Sequence, residues 1–158
     1  MSADRVRVTT FVAVAPGDAF DVFTRETDLW WRKGPRHRFG RERRGVLQFE
    51  PGPGGRLFEQ YDDRDVYEVG KVLVWSPGER LLFEWRLRNF APGERTEVDV
   101  RFESVDGGTR VTLEHRGFDA LPADHPVRHG MTGEAFRSMI GLWWGDVVTG
   151  LRAHIARR

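Results

Sequence analysis

Near its start the chain alternates, with Val6, Val8, Thr10, Val12 and Val14 on one side of an extended backbone and Arg5, Arg7, Thr9 and Phe11 on the other. A period of two predicts a strand with one buried face. The pattern breaks at "APGDAFDVFT", where Pro16 suits the first helical position and Asp18 lies in the first turn, which favours a carboxylate. Ala19, Phe20 and Phe23 then recur at helical spacing, so a short helix follows, and "ETDLWW" predicts a second turn of helix. From residue 45 onward the chain reads as strands cut by turn residues: "GVLQFE", "RLFEQY", "VYEVGKVLVW", "RLLFEWRLRN", "RTEVDVRFES" and "TRVTLEHRGF", with "PGPGG", "DDRD", "SPGE", "APGE" and "DGG" between them. Strands joined by such tight turns form an antiparallel meander.

In the last two strands Val98, Val100, Phe102, Val111, Leu113 and His115 share one face. Glu97, Asp99, Arg101, Glu103, Arg110, Thr112 and Glu114 share the other, which is expected to be wet. The apolar face needs a cover. The segment from about 127 to 156 supplies it, since Phe136, Met139, Ile140, Trp143, Val147, Leu151 and Ile155 recur at spacings of three and four, the stripe of a long helix. Gly133, Gly141, Gly145 and Gly150 are unusual there, because each costs about 1 kcal/mol relative to alanine in a helix interior. Close backbone approach or room for a ligand would account for them.

At 158 residues with 39% apolar side chains, the chain has the size of one domain spanning 1–158 and no second core. There are no cysteines, which excludes disulfides, thiolate metal sites and cysteine nucleophiles. The opening segment never builds a secretion signal, and no apolar run is long enough to cross a bilayer, so a cytoplasmic location is expected. With 25 basic and 24 acidic side chains the net charge is +1, so the run "RKGPRHRFGRERR", offset only by Glu42, is a local patch on a nearly neutral chain. Two tryptophans beside arginines resemble a nucleic-acid surface. One loop on a neutral background is not a platform or a recognition helix, and no nucleic-acid partner is expected.

The order of elements, together with "FDVFTRETDLWW", "GGRLFE", "VGKVLVWSPGERLLFEW" and "DGGTRVTLEHRGF", resembles the SRPBCC group of START-like proteins, and within it the AHSA-type domains, the activator-of-heat-shock-protein-ATPase group. The resemblance covers nearly the whole chain and is best in 70–85 and 107–118. It implies an α+β helix-grip (Bet v 1-like) fold: a curved antiparallel sheet of six to seven strands around a long C-terminal helix, with short helices after the first strand. It also implies an internal cavity for a small hydrophobic molecule. Such relatives include ligand carriers, aromatase/cyclases and co-chaperone domains, and fold alone does not choose among them. A small hydrophobic ligand, neutral or anionic, is the expected partner. A cyclase-like enzyme using a cavity histidine and glutamate is one alternative, and a module docking a chaperone is another. The separate N-terminal domain with which co-chaperones hold their partner is not in this sequence, and a monomer or homodimer is expected.

On that resemblance the cavity and its mouth are expected to involve Trp30, Trp31, Phe39, Glu59, Trp85, Val100, Leu113, His115, Met139 and Trp143, with Arg36 and Arg38 as an anion-attracting rim. His115 reads either as an acid/base facing the cavity or as a core histidine with satisfied nitrogens. Glu59 and Glu68 lie in apolar strands; each is expected to point outward, and an inward one needs a partner. His125 and His129 are four apart, but Pro126 between them breaks the shared helical face, and "DDRD" is a hairpin turn before it is a cation loop. No metal or cofactor and no catalytic nucleophile is expected.

Overall fold

The computed structural model describes residues 5–41 and 43–158; residues 1–4 of the opening segment and Glu42 of the basic run lie outside the described residues. The chain runs β1 (Val6–Val12), α1 (Pro16–Arg25), α2 (Thr27–Trp30), β2 (Gly45–Phe49), β3 (Arg56–Tyr61), β4 (Val66–Ser76), β5 (Arg80–Trp85), β6 (Thr96–Val105), β7 (Gly108–Arg116), 3-10 turns at Phe118–Ala120 and Pro126–Arg128, and α3 (Gly133–Ala156). β2 to β7 form the meander and β1 returns to pair with β7, giving one antiparallel sheet in the order β1-β7-β6-β5-β4-β3-β2. Its register slips between Leu57 and Phe58 and between Val72 and Val74, the kind of bulge that bends a strand and curls a sheet. Gly70 sits at this bend, where a Cβ would lie 1.7 Å from the Glu84 carbonyl oxygen, so no other residue fits without moving a strand. The result is a curled half-barrel gripping α3, the helix-grip architecture.

Val98, Val100, Phe102, Val111, Leu113 and His115 all face inward and are buried. The hollow of the sheet is filled with rings: Phe20, Phe23, Trp30, Trp31, Phe49, Phe83, Trp85 and Trp144 join Val100, Leu113, Val147 and Leu151 in one core. A second, smaller cluster of Phe90, Phe118, Leu121, Val127 and Phe136 lies under the chain that leads into α3, and Leu87 and Ile140 pack against both.

Three expectations change. The helix begins at Gly133 and not near 127, because His129 and Gly130 take left-handed backbone angles of φ 48° and 75° that end the 3-10 turn. Of its two tryptophans the buried one is Trp144, while Trp143 is partly exposed. The outer face of the last strands is not uniformly wet, since Asp99 is 3% exposed. Arg80 and Arg116 donate to it at 2.9 to 3.0 Å, and Arg101 stands 3.5 Å away. Burial pushes the Asp99 carboxyl up, yet these guanidinium bonds outweigh it and hold the group below its ordinary value.

Candidate functional site

A cleft of about 650 Å³ opens between the main core and the smaller cluster, at the N-terminal half of α3. One wall is Trp85 and His115 from the sheet with Leu87 just past the end of β5, a second is Ile140, Trp143 and Trp144 from α3, and the loop 35–39 and Phe118, Val127 and His129 close the sides. The sequence places these rings by ordinary means. Trp85 and His115 end β5 and β7 on the inward face, and Ile140, Trp143 and Trp144 fall three and four apart on the helix. The wall rings hold one another, Trp143 and Trp144 edge to face at 4.9 Å and 90°, Trp85 and Trp144 tilted at 5.2 Å and 57°. A larger depression of about 900 Å³ at the far end, between β1, α1 and the end of α3, is edged by Asp18, Asp21, Arg25, Arg152 and Arg158 and has no aromatic wall beyond Phe11.

Of the expected site residues, Phe39, Trp85, His115, Met139, Trp143, Arg36 and Arg38 come together at the cleft. Trp30, Trp31, Val100, Leu113 and Glu59 do not. Trp30 and Trp31 are 3% and 1% exposed and are anchored inside, their indole N–H groups donating to the carbonyls of Phe23 (3.2 Å) and His37 (2.9 Å). Val100 and Leu113 lie opposite each other beneath the packed rings.

Glu59 points inward, fully buried, against the expectation of a solvated side chain. The register demands it: Glu59 pairs with Leu47 across β2 and shares its inward face. Its Oε1 accepts from the Phe39 amide (3.1 Å) and the Tyr61 hydroxyl (2.7 Å), and its Oε2 lies 3.7 Å from Arg38 with no hydrogen-bond partner. Burial, then the bond to Glu59, pushes the Tyr61 phenol up to about 12. Glu68 is exposed, 3.9 Å from Arg56.

Arg38 is an internal tie. Its guanidinium donates to Asp28 Oδ1 (2.6 Å) and to the carbonyls of Arg32, Asp28 and Trp31, and only 7% of the side chain is exposed. The anion rim at this point reduces to Arg36, which is exposed at the cleft and has no carboxylate partner among the described residues. Elsewhere in the basic run Arg43 pairs with Asp63 (2.6 Å) and Asp65 of the acidic turn, and Lys33 with Asp28, so much of its charge is met internally.

His115 is a satisfied core histidine. The Trp144 indole N–H, which can only donate, gives its proton to Nδ1 at 2.9 Å. The ring proton is therefore on Nε2, which donates to Thr96 Oγ1 at 2.7 Å, and the Thr96 hydroxyl donates on to the Trp85 carbonyl. Burial pushes its pKa down to about 3. His125 accepts from the Val127 amide and meets Glu94 at 2.8 Å, capping the 3-10 turn. Among the described residues no three His, Asp or Glu side chains gather as a metal group, and no helix is long and apolar enough to cross a membrane.

Sequence reasoning missed His37, Asp146, Phe118 and Leu87 as parts of this region. His37 stood inside a run read for its charge. It is buried, stacks on Trp143 at 5.5 Å and 29°, and has Nε2 3.4 Å from Asp146 Oδ2. Phe118 and Leu87 lie in connections, where no periodicity marks a face.

A curled sheet gripping a long helix, with an aromatic cleft at the helix's first turns, defines a protein of the SRPBCC or Bet v 1-like class. The chain belongs to the Activator of Hsp90 ATPase homolog 1-like family, whose pattern matches residues 13–140. Among solved structures, a protein of Mesorhizobium loti is 19% identical and superposes with a TM-score of 0.67 over 97% of both chains. The Aha1 dimer from Colwellia psychrerythraea is 12% identical with a TM-score of 0.63, covering 96% of this chain and 95% of that one. Both likenesses concern the fold. The anthrahydroquino-gamma-pyrone synthase Txn09, solved in a complex, is 35% identical over 73% of this chain and 79% of its own, with a TM-score of 0.51. No protein of curated function matches the sequence closely enough to count.

Proposed function

We propose that the cleft binds a flat, aromatic small molecule bearing an acidic oxygen, with its rings between Trp85, Trp143 and Phe118 and its acidic edge toward Arg36. The observation that carries this reading is a roughly 650 Å³ cleft walled by large rings at a place where the rest of the sheet-helix space is packed. Sites of this size lined by apolar rings with a few polar groups are the usual form of small-molecule sites. Arg36 supplies a cation with no carboxylate partner among the described residues. A second reading, that the bound molecule is a substrate, is favoured by the 35% identity to a synthase whose product name describes a polycyclic aromatic compound.

Titration calorimetry with 2-hydroxyanthraquinone, an acidic planar probe, tests the reading. Met139→Trp places a bulky ring in the cleft and should weaken binding at least about tenfold, the equivalent of about 1.4 kcal/mol. Binding unchanged in this variant, or no binding to the wild-type protein at micromolar to millimolar concentrations, would remove the cleft as the site.

A further inference from the structure

Three histidines border the cleft, and their surroundings differ. His115 has both nitrogens engaged, so it cannot exchange a proton without breaking the bonds from Trp144 or to Thr96. His129 is exposed on a left-handed turn. His37 alone combines burial, a cleft position, a ring held flat against Trp143, and a carboxylate on one nitrogen.

We propose that His37, oriented by Asp146, is the proton-transfer residue of the cleft, taking the proton of a phenolic or enolic O–H on the bound aromatic molecule. The inference rests on the reading that such a molecule occupies the cleft.

The geometry assigns the two nitrogens. Nε2 is buried, forms no closed hydrogen bond, and lies 3.4 Å from Asp146 Oδ2. Hydrogen bonds between a base and its orienting carboxylate tighten from separations of this kind when a substrate settles. With the proton on Nε2 shared toward Asp146, the lone pair is on Nδ1, the nitrogen left to meet a ligand. In the step, the substrate O–H bond breaks and its electron pair stays on oxygen. The proton forms a new N–H bond at Nδ1, and the imidazolium is stabilised by the Asp146 carboxylate. The same proton returns to a carbon or oxygen of the rearranged product, so no oxidant or reductant is needed. Asp146 is a positioning residue. It is fixed by its own backbone, since Arg32 Nε donates to the Asp146 carbonyl at 3.0 Å. Arg36, beside His37, faces the oxyanion that the transfer leaves behind.

The charged groups around His37 suit a base. Desolvation lowers its pKa, Asp146 from α3 raises it, and Arg36 and Arg32 from its own loop lower it, with a net position below 6.5. The ring is neutral and able to accept a proton at neutral pH.

The test uses the intact protein and 2-hydroxyanthraquinone, whose phenol and phenolate differ in colour. The pH at which the bound probe ionises is read by visible absorption for the wild type, His37→Gln and Asp146→Asn, and calorimetry measures affinity in parallel. The inference expects ionisation in the wild type about one pH unit lower than in His37→Gln, with Asp146→Asn in between, because the transfer leaves an imidazolium, held by Asp146, beside the phenolate, and an opposite charge favours the charged form. Asp146 is half exposed, so its variant keeps the fold even if His37→Gln does not. Binding retained with the same ionisation pH in the wild type and Asp146→Asn, or in the wild type and His37→Gln, would overturn the inference and leave the cleft reading intact. Failure of the wild type to bind the probe would overturn both.

Discussion

Arg36 and Arg38 are two positions apart in the same basic run, and the fold gives them opposite work. Arg38 is enclosed between Asp28, Glu59 and four backbone carbonyls, whereas Arg36 is left at the cleft with no acid opposite it among the described residues. Breaking a buried pair by removing one partner costs roughly 3 to 5 kcal/mol. Arg38→Gln is therefore expected to lower stability in urea unfolding by about that amount, and Arg36→Gln by less than about 0.5 kcal/mol. The ligand readout should invert. Arg36→Gln should weaken an acidic anthraquinone more than a neutral one of the same shape, with the difference shrinking as salt rises. Equal stability losses in the two variants would refute the division of roles. His115 makes a pH prediction at the same scale. Its folded pKa of about 3 lies below the 6.5 of a free imidazole, so the unfolded chain takes up a proton over this window while the folded one does not. Its contribution is fully present above 6.5 and is lost as pH falls, by roughly 1.4 kcal/mol per unit. His115→Gln should cost about 2 to 4 kcal/mol at neutral pH through the unpaired Trp144 and Thr96 groups, with the gap to wild type narrowing steadily toward acid. A gap independent of pH would show that His115 does not titrate as described.

The strands were legible because alternation survives in each of them, and the turn clusters cut the text where the chain turns. The helix was less so. Spacing alone does not distinguish Trp143 from Trp144, since the two are adjacent and the deciding fact is the Nδ1 acceptor of His115 across the sheet. The four helix glycines also part company. Gly150 crosses the end of α2, where a Cβ would come 2.6 Å from the Trp30 carbonyl oxygen; Gly141 has ordinary contact with Val6 at 3.5 Å; and Gly145 faces open space. None of the three lines the cleft. Gly150→Ala should destabilise by about 1 to 3 kcal/mol through forced displacement of α2. Gly145→Ala should instead stabilise by up to about 1 kcal/mol, the helix preference of alanine. Thermal unfolding of the two variants checks the sign, and a destabilising Gly145→Ala would mean that its surroundings are more crowded than described.

For the whole molecule, the resemblance implied a hollow between sheet and helix, and the structure divides that space. Most of it is filled by rings contributed by α1, α2, β2, β4, β5, β6 and α3, and the remaining room is pushed to one end, between two apolar clusters. Val100 and Leu113 were placed on the inward face by pattern, and Trp30 and Trp31 at the mouth by the resemblance, but neither carries information on how deep a side chain sits beneath its neighbours. The site residues that escaped notice, His37 and Asp146 above all, meet only because a loop after α2 folds onto α3 from more than a hundred residues away in the chain. The six tryptophans turn this division of space into a measurement. Their indole N–H signals can be followed singly by nuclear magnetic resonance during titration with 2-hydroxyanthraquinone. Trp85, Trp143 and Trp144 should shift together and saturate with one ligand, while Trp30 and Trp75, behind the packed core and on its far side, should stay in place. Shifts confined to Trp75, or none at Trp143 and Trp144 at saturation, would contradict the cleft as the binding site.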